Sequence, residues 1–256
     1  MLSKIQTAKV CLIVLVLLNF GSSPVLAQTA ARTPTDTVRQ FYQLMRERKF
    51  REAFALSIYK PAIDGLSTQE FEDLRPDFEK MAAAIPEKVD LTGEQISGDV
   101  ATVFVKVKQA DAADQPEPAS LIKIDGNWII GDRDNQAIVK KAGKDFFFNA
   151  RIETHQNEVQ GIFQRITLVQ VVYSQQHGGQ YATMAELIAA GLLPKDLEGS
   201  DSTGYVFHVN KATDGKSWYA SAEPAQYGRT GKLSFFLDAA GVRSGDVGGK
   251  PLVVKN

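Results

Sequence analysis

Cysteine is nearly missing from this 256-residue chain: there is one, Cys11, inside the most apolar run of the sequence. A lone thiol there leaves the rest of the chain without an intramolecular disulfide and without thiol catalysis. Histidine is almost as scarce. His155, His177 and His208 are the three present, and no two stand at a metal-ligand spacing such as His-Glu-x-x-His. Nor does one sign of charge predominate. The 29 basic and 30 acidic residues give a formal net charge of −1, with no long run of either sign, so nothing points to nucleic acid or an anionic membrane surface as a partner. No Gly-x-Ser-x-Gly occurs. Ser120 and Lys123 match Ser-x-x-Lys, but on strand-like sequence, where their side chains point to opposite sides instead of sharing a helical face. Long hydrophobic runs are lacking as well. Val10–Leu18 is the one unbroken apolar stretch, well short of the roughly 20 residues a spanning helix needs.

That stretch has a different use. Lys4 and Lys9 precede it, and Pro24 and Val25-Leu26-Ala27 follow it. A basic start, a short apolar run and small residues at a cut site define a secretory leader, expected to span residues 1–27 and to be cleaved before Gln28. Cys11 lies within the apolar run and not at the cut, which excludes it as a lipid-anchor cysteine. Removing two lysines and no acid leaves 27 basic and 30 acidic residues, a net charge of −3. The expectation is a secreted or periplasmic protein with no stable membrane insertion after leader removal. It must hold together by burying apolar surface, and its length suggests two domains.

Residues 33–135 read as helices followed by strands. Thr33-Pro34 is a hydroxyl cap followed by proline at the first helical position, and Val38, Phe41, Tyr42 and Met45 recur at helical spacing. Phe50, Ala53, Phe54 and Ile58 continue as a short helix that Pro61 is expected to stop. Ser67 and Glu70 have capping-box spacing and open a helix with Phe71, Leu74, Phe78 and Met81 on one face, which Pro76 is expected to kink or split. The period then changes to two. Residues 88–96, 100–109 and 119–131 read as strands, with 110–118 as the loop between two of them and Asp125-Gly126 as a tight primed turn. Asp132 and Asp134 are expected on a solvated loop beyond the hairpin. Helices first, then an antiparallel sheet closing on Asp-Gly-Asn-Trp, resembles the NTF2-like superfamily of cone-shaped α+β domains. Small secreted bacterial members of it begin with a helix patterned much as Pro34, Val38, Phe41 and Tyr42 are here. The resemblance implies a cone that Tyr42, Phe54 and Phe104 would line. It does not carry a catalytic acid or His–Asp pair onto this sequence, because the domain contains no histidine.

Residues 136–148 read as a linker, and 149–256 as a second α+β domain. Ile152, His155, Val159, Ile162, Phe163, Ile166, Val169 and Tyr173 form one apolar stripe of a long amphipathic helix. Gln156, Glu158, Gln160, Arg165 and Gln170 read as its polar face. Gly178-Gly179 ends it, and Thr183 and Glu186 open a short helix with a second capping-box pair. Strand-like stretches follow at Gly204–Val209, Ser217–Ala222 and Lys232–Asp238. The glycines at 241, 245, 248 and 249 read as a loose C-terminal loop. This order resembles the globular head of type IV pilins and pseudopilins. The resemblance is carried by Tyr-x-x-x-x-Gly-Gly-x-Tyr-Ala (Tyr173 to Ala182), Gly-Tyr-x-Phe (Gly204 to Phe207) and Phe-Phe-x-Asp-x-x-Gly-Val (Phe235 to Val242). Pilins join such a head to an apolar stem helix; here Gly21 is followed by Ser22-Ser23-Pro24, and another domain takes the place of the stem.

Phe146-Phe147-Phe148 cannot all face one core, and the three are expected to dock the two domains on each other. No catalytic residue, metal ligand or cofactor site is indicated. The expected function is non-catalytic binding or assembly at the bacterial cell envelope, with an envelope protein as partner and no assigned oligomeric state. The alternatives are a small-ligand binder or enzyme using the NTF2-like cone, and an accessory subunit of a type IV pilus or type II secretion system.

Overall fold

The computed structural model describes residues 32–107 and 116–252. The expected leader, Cys11 and most of the 110–118 loop lie outside the described residues. The chain is α+β, with helices packed against two four-stranded antiparallel sheets of consecutive strand order.

The first half opens with α1 (Pro34–Arg46), capped by the Thr33 side chain on the Asp36 N–H. The Glu94 carboxylate adds a tertiary cap by accepting from the Thr35 N–H (2.9 Å) and hydroxyl (2.6 Å). Helices α2 (Phe50–Phe54) and α3 (Lys60–Asp64) follow. Pro61 does not stop a helix; it stands in the first turn of α3, where its missing N–H would have had no helical partner. Ser67 and Glu70 form a complete capping box on α4 (Thr68–Ala83). This helix runs unbroken through Pro76, which is exposed and so has room for its ring.

Strands β1 (Val89–Ser97), β2 (Val100–Val107), β3 (Glu117–Ile124) and β4 (Asn127–Ile130) form the first sheet. Asp125 and Gly126, both with positive φ, turn the last hairpin. One sheet face buries Ala101, Val103, Val105, Leu121 and Trp128 against Val38 and Tyr42 of α1. The helices form a second cluster around Phe50, Phe54, Leu74 and Phe78.

The 136–148 linker is a correction. Residues Arg133–Ala142 are helix α5, a 3-10 turn covers Gly143–Asp145, and α6 begins at Phe146 and runs to Gln176. Asp132 is not a solvated loop residue: its carboxylate caps α5 by accepting from the Asn135 N–H at 2.8 Å. The 31 residues of α6 serve two cores in turn. Phe147 and Phe148 are buried with the helices of the first half, while Val159, Phe163 and Ile166 are buried with Tyr205, Phe207, Ala220 and Phe235 of the second.

Gly178 (φ 60°) and Gly179 (φ 81°) end α6, and the Gly179 N–H reaches back to the Ser174 carbonyl at 2.9 Å in the manner of a Schellman cap. Thr183 and Glu186 form the second complete capping box, on α7 (Met184–Ala189). The second sheet comprises β5 (Tyr205–Lys211), β6 (Trp218–Pro224), β7 (Leu233–Asp238) and β8 (Gly241–Asp246). The last strand corrects the loose-loop reading of Gly241 and Gly245, which pair with Asp238 and Ser234 of β7.

Candidate functional site

The three residues expected to line a cone are not brought together. Phe54 is fully buried and ringed by Phe41, Tyr59, Phe78 and Phe147, with ring centroids 5.1–6.4 Å away. Tyr42 belongs to the sheet-facing cluster, and burial first, then the Glu117 charge, raises its pKa. Phe104 alternates with the buried Val103 and Val105, so it points to the opposite side of the first sheet from Tyr42. Aromatic side chains fill the space that a chamber around Phe54 would need. Among the described residues the buried polar side chains are Thr37, Ser57, Gln170, Thr203 and Ser234, and none of them is a base or an acid.

The Phe146–Phe148 run is split by the geometry of a helix. Phe146 lies against Tyr59 and Phe147 (5.3 Å each). Phe147 packs on Phe54, Tyr59 and Phe78, inside the first half. Phe148 meets the second half, because Arg229 from the β6–β7 loop lies 4.0 Å over its ring and Arg151 lies 5.4 Å over it.

Charge surrounds that contact. Arg151, with only 9% of its side chain exposed, donates to Asp77 (2.7 Å) and Asp73 (3.0 Å) of α4. Glu70 accepts from Lys144 and Arg229, each at 3.2 Å. Its carboxyl is pulled down to about 2 by the Ser67 N–H first, then by Arg229 and Lys144. Gln156 accepts from the Lys232 and Leu233 N–H groups (3.2 and 3.1 Å) at the start of β7, and His155 Nδ1 meets the Thr230 carbonyl at 3.0 Å. The His155 ring leaves no room for a side chain at Gly204, whose φ is 69°. Beside these contacts lies a cavity of about 290 Å³, floored by Leu74, Phe78 and Phe147 and rimmed by Lys80, His155 and Glu158.

The second sheet has an outer face turned away from α6. Strand pairing sets His208, Ser221, Phe236 and Arg243 in one row across it. Tyr219, 41% exposed, stacks on Phe236 (5.6 Å, 15°), and Arg243 lies 5.3 Å over the Phe236 ring. His208 Nε2 meets Glu223 Oε1 at 2.8 Å, whereas Glu223 Oε2 and Arg243 Nε are buried with no hydrogen-bond partner.

The chain matches no family model, no curated protein and no solved structure.

The other sequence candidates are occupied structurally. His177 stacks on Tyr173 at 3.8 Å and meets its carbonyl at 2.8 Å, closing the end of α6. Ser120 and Lys123 lie on β3, three residues apart, and so on opposite faces. Ser57 and Lys60 repeat that spacing, but the Ser57 hydroxyl donates to the Phe54 carbonyl at 2.8 Å and Lys60 pairs with Asp64. Among the described residues, no three His, Cys, Asp or Glu side chains converge as a metal-ligand set. Sequence reasoning missed the roles of Arg151, Arg229 and Glu70 at the junction. The distances along the chain are 74 to 159 residues, and no local pattern announces such pairs.

Proposed function

We propose that this chain is a secreted or periplasmic protein of the bacterial cell envelope that acts by binding and assembly, not by catalysis. Its partner is an envelope protein, which docks on the outer face of the second sheet. The observation that carries this reading is the polar-aromatic face built from Tyr219, Phe236, His208 and Arg243, with Glu223 Oε2 and Arg243 Nε unpartnered. Buried polar atoms without partners are uncommon in proteins. A partner offering a donor to Glu223 and an acceptor to Arg243 would satisfy both after modest side-chain rotation. The filled space around Phe54 supports the same reading, because it leaves no chamber there for a substrate. The leader at residues 1–27 supports the location, and helix-across-sheet order in the second half is in keeping with a pilin-like head used as a docking module.

The test is capture from an envelope extract by the mature chain. Wild type should retain a partner that the Tyr219→Ser/His208→Ala variant loses at unchanged thermal stability. Equal capture by both, or capture of nothing, would overturn the reading. Fractionation of cells expressing the full chain should place it outside the cytoplasm at the mature mass. One observation favours a second reading as a small-ligand binder: the cavity of about 290 Å³ at the junction, close to the lower limit for small-molecule sites.

A further inference from the structure

The last three turns of α6 differ from the rest of the surface. From Ile166 to Gln176 the helix carries no charged residue, in a chain where 23% of residues are charged. Its inner side is buried through Ile166 and Gln170, yet Leu168, Val171 and Val172 stand 68%, 48% and 39% exposed. Positions three and four apart share a helical face, so these three form one apolar ridge. Gln164 and Gln175, both exposed, extend it at either end with the same three- and four-residue steps. Alongside runs a groove of about 430 Å³, walled by Tyr181, Trp218 and Leu237 and shared with the ridge through Thr167 and Val171.

We propose that this surface binds a second copy of the chain, each ridge entering the groove of the other about a twofold axis beside Val171. A ridge and a groove side by side on one molecule are what an isologous contact requires, since a twofold rotation makes both insertions at once. The charge pattern selects the same occupant. An uncharged ridge meets its own copy without repulsion, and the groove carries one Lys216 and one Asp238, opposite in sign. The flanking glutamines are self-complementary, because a side-chain amide both donates and accepts. The size sets the strength. Twelve helical residues span about 18 Å, and a helix is about 10 Å wide with its side chains. With the groove walls, the contact reaches a few hundred Å² per partner, on the order of the weak end of specific interfaces. The dimer is therefore weak and concentration-dependent.

The experiment is sedimentation equilibrium of the mature chain from about 1 µM to about 1 mM, the range in which weak complexes populate. The weight-average mass should rise toward twice the monomer. Leu168→Glu, at the most exposed position of the ridge, should hold the mass at the monomer value throughout without lowering the thermal midpoint. Because Cys11, the only cysteine, leaves with the expected leader, the mature chain provides a clean background. In it, Val171→Cys should give a disulfide-linked dimer under mild oxidation, and Glu79→Cys, at an exposed position of α4, should not. A monomer mass at every concentration overturns the proposal. So does equal cross-linking of the two cysteine variants, or loss of envelope capture on Leu168→Glu with no change in mass. The docking face of the second sheet is untouched by these variants, so failure here leaves that reading standing.

Discussion

Gln170 offers the sharpest test of how the second half is held together. Its side chain is fully buried, its amide donates to the Ala182 carbonyl at 2.7 Å, and its carbonyl accepts from the Ala182 N–H at 2.9 Å. One side chain thus satisfies both backbone groups of a fully buried residue, on the segment that returns from the end of α6 toward α7. Gln170→Leu keeps most of the volume and removes both bonds. A buried backbone group left without a partner costs about 1–3 kcal/mol, so two should cost about 2–6 kcal/mol, partly offset by the leucine's own burial. About 3 kcal/mol is the expected loss, which for a chain of this size lowers the thermal midpoint by roughly 6–12 °C. Urea denaturation should show the midpoint falling with the slope unchanged. Gln160→Leu, on the exposed surface of the same helix, is the control and should stay within about 0.5 kcal/mol of wild type. If Gln170→Leu also stayed within that margin, the reasoning that a buried amide clamp holds this return would be refuted.

Two further outcomes concern the junction and the first core. Phe147→Ser should destabilise the chain by about 3–5 kcal/mol, the usual cost of truncating a buried phenylalanine, because Phe147 fills the space between Phe54, Tyr59 and Phe78; an unchanged calorimetric midpoint would remove it from the core. Glu70 and Glu186 are both held at about 2 against a usual 4.5, Glu70 chiefly by the Ser67 N–H and Glu186 chiefly by Lys211. A carboxyl depressed on folding stabilises above its unfolded pKa and loses that contribution as pH falls through its folded one. Stability measured by urea titration should therefore decline as pH falls from about 4.5 to about 2, and Glu70→Gln should flatten part of the decline. An identical pH profile for that variant would mean that the carboxylate's partners at the junction contribute nothing.

What is legible in the sequence is local. Ser67–Glu70 and Thr183–Glu186 both form complete capping boxes, because both partners of such a box lie within one turn. Asp125-Gly126 and Gly178-Gly179 give the turn and the helix end for the same reason. Pro61 misleads because proline's two helical meanings, first residue and breaker, differ only in whether the residues beyond it stay helical. The glycines at 241 and 245 resemble a loop, yet the ladder partner that makes them a strand is β7, and pairing is not a property of the residues alone. Gln156 and Gln170 read as solvent-facing by their chemistry but anchor backbone groups from elsewhere in the chain, while the helical pattern does not announce Leu168, Val171 and Val172 on the outer side. Of the candidate site, the sequence offers His208, which strand alternation sets on the face opposite Phe207. Its pairing with Glu223, 15 residues away, depends on the register of β5 against β6.

The double employment of α6 limits how such a chain can be taken apart. Phe147 and Phe148 complete one core, and Val159, Phe163 and Ile166 complete the other, with no break in the helix between them. A cut at residue 149 leaves each half its own buried side chains, but it severs the helix that carries both sets and parts Arg151 from Asp73 and Asp77. The two halves are therefore poor cassettes, and an expression boundary drawn at residue 149 should yield fragments that each melt below the whole chain. Whatever ancestry each half has, they are now inherited together.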